Sequence, residues 1–186
     1  MMKRSIIVGM LTLALAGCAG PAPFTYLVLA PVPGEVHPGA GPSIAVGQVE
    51  MPPVLDRSAL TIGGGDNTLI ISDDARGAAP LEPMAQTVLA RDLAARLPGH
   101  MVLLPGDDVP GTASIVAVNV ISFLPYAGEV VLEADWRVTD AAAGTAETGR
   151  VRIVTPTTAD AAAQAQAMSQ ALGQLADKIA RQIAGG

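Results

Sequence analysis

The sequence predicts one domain of mixed α/β (α+β) class, in which a mixed, mainly antiparallel sheet packs against two helices. Half of the 186 residues are apolar, which is enough for one buried core. Stretches with the two-residue alternation of strands lie before and after one stretch with helical periodicity, and a second helical stretch ends the chain. The predicted order is therefore β-β-β-α-β-β-β-β-α, without an internal repeat.

The first 17 residues resemble a bacterial export signal. Lys3 and Arg4 provide the positive start, and the apolar run that follows, 6–16, is shorter than the roughly 20 residues that a membrane-spanning helix needs. The run ends in the lipobox sequence Leu15, Ala16, Gly17 and Cys18. We predict cleavage after Gly17 and attachment of diacylglyceryl and N-acyl (palmitate-type) chains to Cys18, which would anchor the chain in a membrane.

The remaining composition limits the function. Cys18 is the single cysteine, so the mature chain has no disulfide of its own. Removal of Lys3 and Arg4 takes the net charge from −6 to −8, which argues against nucleic acid as a partner and against adsorption to anionic lipid. Ala19, rather than Asp, follows the lipidated cysteine, which favours the periplasmic face of the outer membrane.

The predicted organisation has three parts. Residues 1–17 are the signal peptide, residues 18–42 form a Pro- and Gly-rich tether or loop that contains a first strand at 24–30, and residues 43–186 form the domain. A second strand is predicted at 43–49. A short apolar piece at 59–62, a Gly-rich turn at 63–67 and a third strand at 68–72 follow it.

Residues 80–97 have apolar side chains at helical spacing and predict the first helix, which Pro98 and Gly99 end. A short strand follows at 101–104. Residues 113–123 are apolar at both odd and even positions, so we predict a central strand that is buried on both faces.

A hairpin of two alternating strands is predicted next, at 129–139 and 150–154, with 140–149 as its loop. In this register Arg150 and Arg152 would lie opposite Glu133 and Asp135. The last element is a helix at 158–183, whose core-facing side is lined by Met168, Leu172, Leu175, Ile179 and Ile183 and whose Gln-rich side is solvated.

No group of residues predicts catalysis or metal binding. His37 and His100 are in loops without a second ligand at zinc-site spacing, and the sequence has no nucleophile elbow. The glycines at 63–65 lack the Lys of a phosphate loop, and Glu133 and Asp135 are better explained by their arginine partners than as a glycosidase pair. The acidic pairs at 73–74 and 107–108 are predicted to be solvated turns. We therefore expect no catalytic residue, no metal and no cofactor apart from the acyl chains.

The mature chain resembles the PqiC family of auxiliary lipoproteins of ABC-type transport systems. The resemblance is carried by the lipobox, by the strand at 26–29 and by the strand at 44–49 that leads into a Met-Pro-Pro-Val-Leu-Asp-Arg sequence at 51–57. It continues in Pro80 and Leu81, in the helix segment at 88–93 and in the strand at 131–136. It implies docking onto a periplasmic MCE-domain protein, contact with phospholipid during transport between membranes, support of membrane integrity and a homo-oligomer that matches a multimeric partner.

The sequence leaves two questions open. Leu55, Asp56 and Arg57 are the preferred contact with the MCE protein, but Asp56 and Arg57 could equally form a local ion pair. The alternative function is a lipoprotein that assists envelope assembly or activates a peptidoglycan synthase, with no role in lipid transport.

Overall fold

A computed structural model describes residues 25–57, 59–65 and 68–185 of the chain. The elements, in chain order, are β1 (Thr25–Leu27), β2 (Ile44–Glu50), β3 (Ala59–Gly65), β4 (Thr68–Gly77), α1 (Leu81–Arg96), β5 (Val102–Leu103), β6 (Ser114–Tyr126), β7 (Glu129–Asp140), β8 (Thr145–Pro156) and α2 (Ala161–Gly185). In this part of the chain, eight strands form one mixed sheet that curls into a half-barrel and carries both helices. This arrangement confirms the predicted α+β class.

Strand β6 organises the sheet. One of its edges pairs along its full length with β7 in antiparallel orientation, and β7 pairs in turn with β8. Its other edge is shared, because its first half runs parallel to β2 while Tyr126 at its end pairs with Gly63 of β3. The β3–β4 hairpin, with β1 parallel to β4, extends the sheet from that end. Most paired residues are in antiparallel ladders, as predicted.

The central place of β6 is confirmed, but the prediction that it is buried on both faces is wrong. Val116, Val118 and Val120 are buried, whereas the alternate positions are not, and Ile121 is 45% exposed. Both helices pack on the same side of the sheet and contact each other, so the opposite face stays open to solvent. A bulge between Val120 and Ser122 then shifts the alternation, which returns Phe123 to the core.

Two turn predictions are corrected. Gly63, Gly64 and Gly65 are part of strand β3 rather than of a turn, so four strands, not three, precede α1. The Tyr126 ring covers Gly63 so closely that a Cβ there would lie 2.8 Å from the ring, which explains why a glycine is used in the strand. The loop predicted at 140–149 is only a short turn, because β8 already begins at Thr145 and pairs with β7 through backbone bonds that need no buried face.

The core lies between the sheet and the two helices. The predicted seam of α2 is confirmed for Met168, Leu172, Leu175 and Ile179, which are at most 4% exposed, while Ile183 is only partly buried. The inward side chains of β7 face these residues as predicted. The Gln-rich side of α2 is solvated with one exception, because Gln164 is buried.

Candidate functional site

The chain segment after β1 is fixed to both helices by the side chain of Arg96, at the end of α1. Arg96 is 1% exposed, and its Nε donates to Asp177 Oδ1 of α2 over 2.5 Å. Its Nη1 donates to the carbonyl oxygen of Val32 and its Nη2 to that of Gly173, both over 3.1 Å. One buried guanidinium therefore joins the N-terminal segment, α1 and α2.

Asp92, one helical turn before Arg96, completes this cluster. Its Oδ1 accepts a 2.9 Å hydrogen bond from the Val32 amide and lies 3.3 Å from Arg96 Nη1. Burial raises the pKa of the Asp92 carboxyl, although the Val32 amide and Arg96 act in the opposite direction. We refer to Val32, Asp92, Arg96, Gly173 and Asp177 as the Arg96 clasp.

Further contacts continue the attachment on both sides of Val32. The Ala30 amide donates to Ser169 Oγ over 3.1 Å, and the His37 amide donates to the Arg96 carbonyl oxygen over 2.7 Å. A Cβ at Gly34 would come 2.1 Å from Arg96 Nη2, so the segment lies directly on the guanidinium. The described part of the predicted tether therefore has no strand or helix after Leu27 but is packed against the domain until at least His37.

Sequence reasoning did not find the clasp, although a signal was available. Asp92 and Arg96 fall on the same side of α1 as Leu89 and Leu93, at spacings of three or four residues. Charged residues four apart on an apolar helix face predict a buried pair rather than a solvated one. Their partners at Val32 and Asp177 lie far away in the chain and could not be read from this spacing.

The predicted contact residues Leu55, Asp56 and Arg57 lie in the loop between β2 and β3. Leu55 is buried, at 5% exposed. Asp56 Oδ1 accepts a 3.0 Å hydrogen bond from the amide of Glu82, so it caps α1 from outside the helix, where Pro80 provides no side-chain cap. Arg57 is exposed. The contact role stays a prediction, and within this loop Arg57 is the member whose side chain a partner could reach.

Arg57 stands at the rim of an apolar cleft between the sheet and the helices. Leu27, Leu29, Met84, Phe123 and Met168 are among the residues that line it. Its volume of about 40 Å³ is far below the roughly 300–1,000 Å³ of typical ligand pockets. In this conformation the cleft is thus a narrow gap at the edge of the core and is too small to hold a lipid chain.

The carboxylates and histidines that could serve catalysis are dispersed or paired. Asp135 accepts from Arg150 over 2.6 Å and Glu133 lies 3.2 Å from Arg152, which confirms the predicted cross-strand pairs, and Arg150 lowers the pKa of Asp135. The Leu104 amide donates to Asp107, which places this aspartate in a turn. The side chains of Asp73 and Asp74 lie outside the described residues.

His37 and His100 border one open depression of about 580 Å³, together with Asp140 and Glu147. His100 Nδ1 is 3.1 Å from the Pro42 carbonyl oxygen, and His37 Nε2 has no hydrogen-bond partner among the residues that the structure describes. In the described ranges, no three His, Cys, Asp or Glu side chains are grouped closely enough to hold a metal ion.

The lipobox residues Leu15, Ala16 and Gly17 and the predicted lipid attachment site Cys18 lie outside the described residues. Neither helix of the described part is long and apolar enough to span a bilayer.

Comparison with known proteins decides the family. Residues 26–180 match the family model of the ABC-type transport auxiliary lipoprotein component. This chain belongs to that family. The matched range covers the described sheet except Thr25, the Arg96 clasp and most of α2, and the family is one of transport auxiliaries rather than of known enzymes. Membership confirms the predicted resemblance and associates this auxiliary lipoprotein with an ABC-type transport system in the cell envelope.

Two solved structures share the fold of this auxiliary lipoprotein. A crystal structure of an uncharacterized protein superposes with a TM-score of 0.73 at 20% identity, covering 87% of this chain and 99% of the other. A protein from Xanthomonas campestris assigned to family DUF330 superposes with a TM-score of 0.58 at 18% identity, covering 87% and 94%. Among curated proteins, none matches the chain significantly in sequence.

Proposed function

We propose that this lipoprotein anchors an MCE-type ABC lipid transport system to the outer membrane, by docking onto the periplasmic MCE protein. The observation that carries the proposal is the family match over residues 26–180 directly after a lipobox that ends at Cys18. In this role the protein has no catalytic residue. It supports lipid transport and membrane integrity through the place where it is held.

The Arg96 clasp supports an anchoring role. A lipid on Cys18 would hold the domain at the membrane only if the chain segment after Cys18 is firmly attached to the domain. Here the attachment begins at Thr25 and continues through Val32 and His37. Only six residues, 19–24, separate Cys18 from β1. Such a short connection holds the domain near the bilayer and raises its effective concentration for a partner at that surface.

The first experiment tests the anchor. Cys18→Ser removes the acceptor sulfur, and we expect the variant to incorporate no labelled palmitate and to leave the outer-membrane fraction. Ala19→Ser is the matched control, because it changes the neighbouring position without removing the thiol. Palmitate label in the Cys18→Ser protein would refute the lipid assignment.

The second experiment tests the partner. The full lipidated chain, solubilised in mild detergent, is expected to co-purify with a periplasmic MCE protein of the same cell, and Arg57→Glu is expected to reduce the recovery. Arg137→Glu makes the same charge change at an exposed position on the open face of β7 and serves as control. A pull-down that stays empty at every salt concentration contradicts the docking proposal.

An envelope-assembly or peptidoglycan-synthase-activating role is the second candidate. Deletion of the gene separates the two. The transport proposal expects sensitivity to detergents that matches deletion of the MCE gene, whereas the second candidate expects altered peptidoglycan composition with an intact lipid barrier.

A further inference from the structure

The β3–β4 hairpin carries an apolar segment that nothing in the described chain covers. Leu69, Ile70 and Ile71 follow one another in β4 and are 45%, 54% and 46% exposed. Because consecutive strand residues point to opposite faces of a sheet, the exposure of all three shows that this part of the hairpin is uncovered on both faces. Large apolar side chains in such a cluster mark a contact site more often than scattered ones do.

The hairpin tip and the start of the chain lie toward the same end of the sheet. β1 runs parallel to β4, with Thr25 opposite Ala75 and Leu27 opposite Gly77. The N-terminal end of β1, at Thr25, therefore faces the same end of the sheet as the N-terminal end of β4, at Thr68. Seven positions separate Cys18 from Thr25, and seven separate Thr68 from Ala75. Seven residues of chain can reach about 25 Å at most, so Cys18 can lie level with the hairpin tip.

The turn between β6 and β7 lies at this end too. Tyr126 pairs with Gly63, which also pairs with Leu69, so the three residues form one row across β6, β3 and β4. Tyr126 is 49% exposed and the turn after it contains Ala127 and Gly128, both with positive φ. A half-exposed tyrosine beside aliphatic side chains is typical of surfaces that are apolar on one side and wet on the other.

We propose that the tip of the β3–β4 hairpin, at Leu69, Ile70 and Ile71, inserts into the headgroup and upper acyl region of the leaflet that holds the lipid anchor. A flat protein surface would cover one face of the hairpin, whereas a lipid environment covers both. Three strand residues span about 10 Å, which matches the depth of 5–10 Å that interfacial elements reach. The direction of insertion rests on the proposed lipidation of Cys18, but the apolar hairpin does not.

The contact is hydrophobic rather than electrostatic. The sequence places Asp66, Asp73 and Asp74 in and next to the hairpin, and Glu129 follows the β6–β7 turn. These acidic residues oppose binding to anionic headgroups, so insertion should not need anionic lipid and should be little affected by salt.

The single native cysteine allows a direct test. In the lipidated full chain Cys18 is blocked, so Ile70→Cys introduces one thiol that can carry an environment-sensitive fluorophore. Leu104→Cys is the matched control, because Leu104 is 42% exposed and follows β5, which pairs with the start of β2 at the opposite end of the sheet. Both proteins are reconstituted in phosphatidylethanolamine and phosphatidylcholine vesicles, with and without spin-labelled phosphatidylcholine as a quencher.

We expect the quencher to lower the emission of the Ile70 label about twofold or more and to leave the Leu104 label unchanged, because only the former reaches the depth of the acyl chains. Adding Ile71→Asp to the Ile70→Cys protein is expected to abolish the quenching. Equal quenching at both positions, or none at Ile70, overturns the proposal. A third result also overturns it: the Ile70 label stays unquenched, and Ile71→Asp converts an oligomer into monomers. The hairpin would then join copies of the chain instead of entering lipid.

A separate measurement on the wild-type protein shows whether Cys18 carries the lipid anchor. The wild-type protein should take up no thiol label and should float with the vesicles. Labelling of wild type, or loss of flotation, contradicts lipidation of Cys18, and the depth of the Ile70 label is then measured in a protein that also carries Cys18→Ser.

Discussion

Arg96 and Asp177 are 81 positions apart in the chain, yet the Arg96 Nε donates to Asp177 Oδ1 over 2.5 Å and joins the end of α1 to the second half of α2. The same guanidinium holds the carbonyl oxygen of Val32, which lies in the segment that leads from the N-terminus. One side chain therefore contributes both to the packing of the two helices and to the attachment of that segment.

Removing the Arg96 side chain should lower the free energy of unfolding considerably. Arg96→Met keeps much of the volume but leaves Asp92, which is fully buried, without its charged partner. Breaking one partner of a buried pair typically costs about 3–5 kcal/mol, and we expect a loss of that order in the free energy of unfolding. Urea denaturation followed by circular dichroism measures it.

Arg181→Met is the control for this variant. Arg181 pairs with Glu35 at 3.7 Å, with side chains 54% and 62% exposed, and an exposed pair contributes only about 0–1 kcal/mol. Equal losses for the two variants would show that the clasp has no special energetic role.

The same cluster predicts a pH dependence. Burial raises the pKa of Asp92 in the folded chain above its ordinary value of 3.8, so the folded state keeps this proton to higher pH than the unfolded state does. The stability that Asp92 contributes is therefore complete below about pH 4 and falls as the pH rises through the folded pKa.

Asp92→Asn tests this sign, because an amide retains an oxygen that can accept from the Val32 amide but cannot titrate. The unfolding free energy of the wild type, minus that of the variant, should decrease between about pH 4 and 7. A difference that is level above about pH 4 and becomes smaller as the pH falls below 4 would instead show that Arg96 and the Val32 amide dominate and that the Asp92 pKa is lowered.

These cases show which features the sequence could predict. The opposite placement of Glu133 and Arg152, and of Asp135 and Arg150, follows from two alternating strands joined by one turn, so local periodicity sufficed. The open face of β6 was not predictable in the same way. Ile121 has the apolar character of a core residue, and only the placement of both helices on the other side of the sheet leaves it exposed.

The candidate site was harder to predict than the fold. Asp56 was singled out from its sequence context, but its bond to the Glu82 amide joins residues 26 positions apart. The partners of Arg96 are more distant still. Sequence spacing can show that Arg96 and Asp92 lie on the apolar face of a helix, but not which distant chain segment they hold.

Loss of the Asp56 cap should weaken the domain moderately. Asp56→Ala removes the acceptor for the Glu82 amide at the start of α1, and loss of such a cap costs about 1 kcal/mol. Thermal unfolding of the variant measures it. Asp56→Asn keeps a side-chain oxygen and should restore most of the stability, whereas a docking contact that needs the negative charge would not be restored in a pull-down.

The pair of Asp135 and Arg150 should be visible in a titration. The side-chain hydrogen bond from Arg150 lowers the pKa of Asp135 below 3.8. Its small contribution to stability is therefore present above pH 3.8 and is lost as the pH falls through the folded pKa. Carboxyl-carbon NMR of the Arg150→Gln protein should show the Asp135 pKa returning upward, and an unchanged titration would contradict the two hydrogen bonds, of 2.6 and 2.8 Å, that Arg150 donates to Asp135.

Substitution of Gly149 should lower the free energy of unfolding, because this residue pairs with Trp136 in the β7–β8 ladder. A Cβ at this position would lie 2.4 Å from the indole Cζ2, so Gly149→Ala must displace a partly buried ring. Overpacking of this kind costs about 1–3 kcal/mol, which urea denaturation would detect. Trp136 is the single tryptophan, so its emission should shift to longer wavelength as the ring moves toward solvent.

Gly111→Ala is the control, since nothing lies within 4 Å of the added methyl group. If the two variants share the stability and emission maximum of the wild type, the ring does not rest on Gly149 in solution.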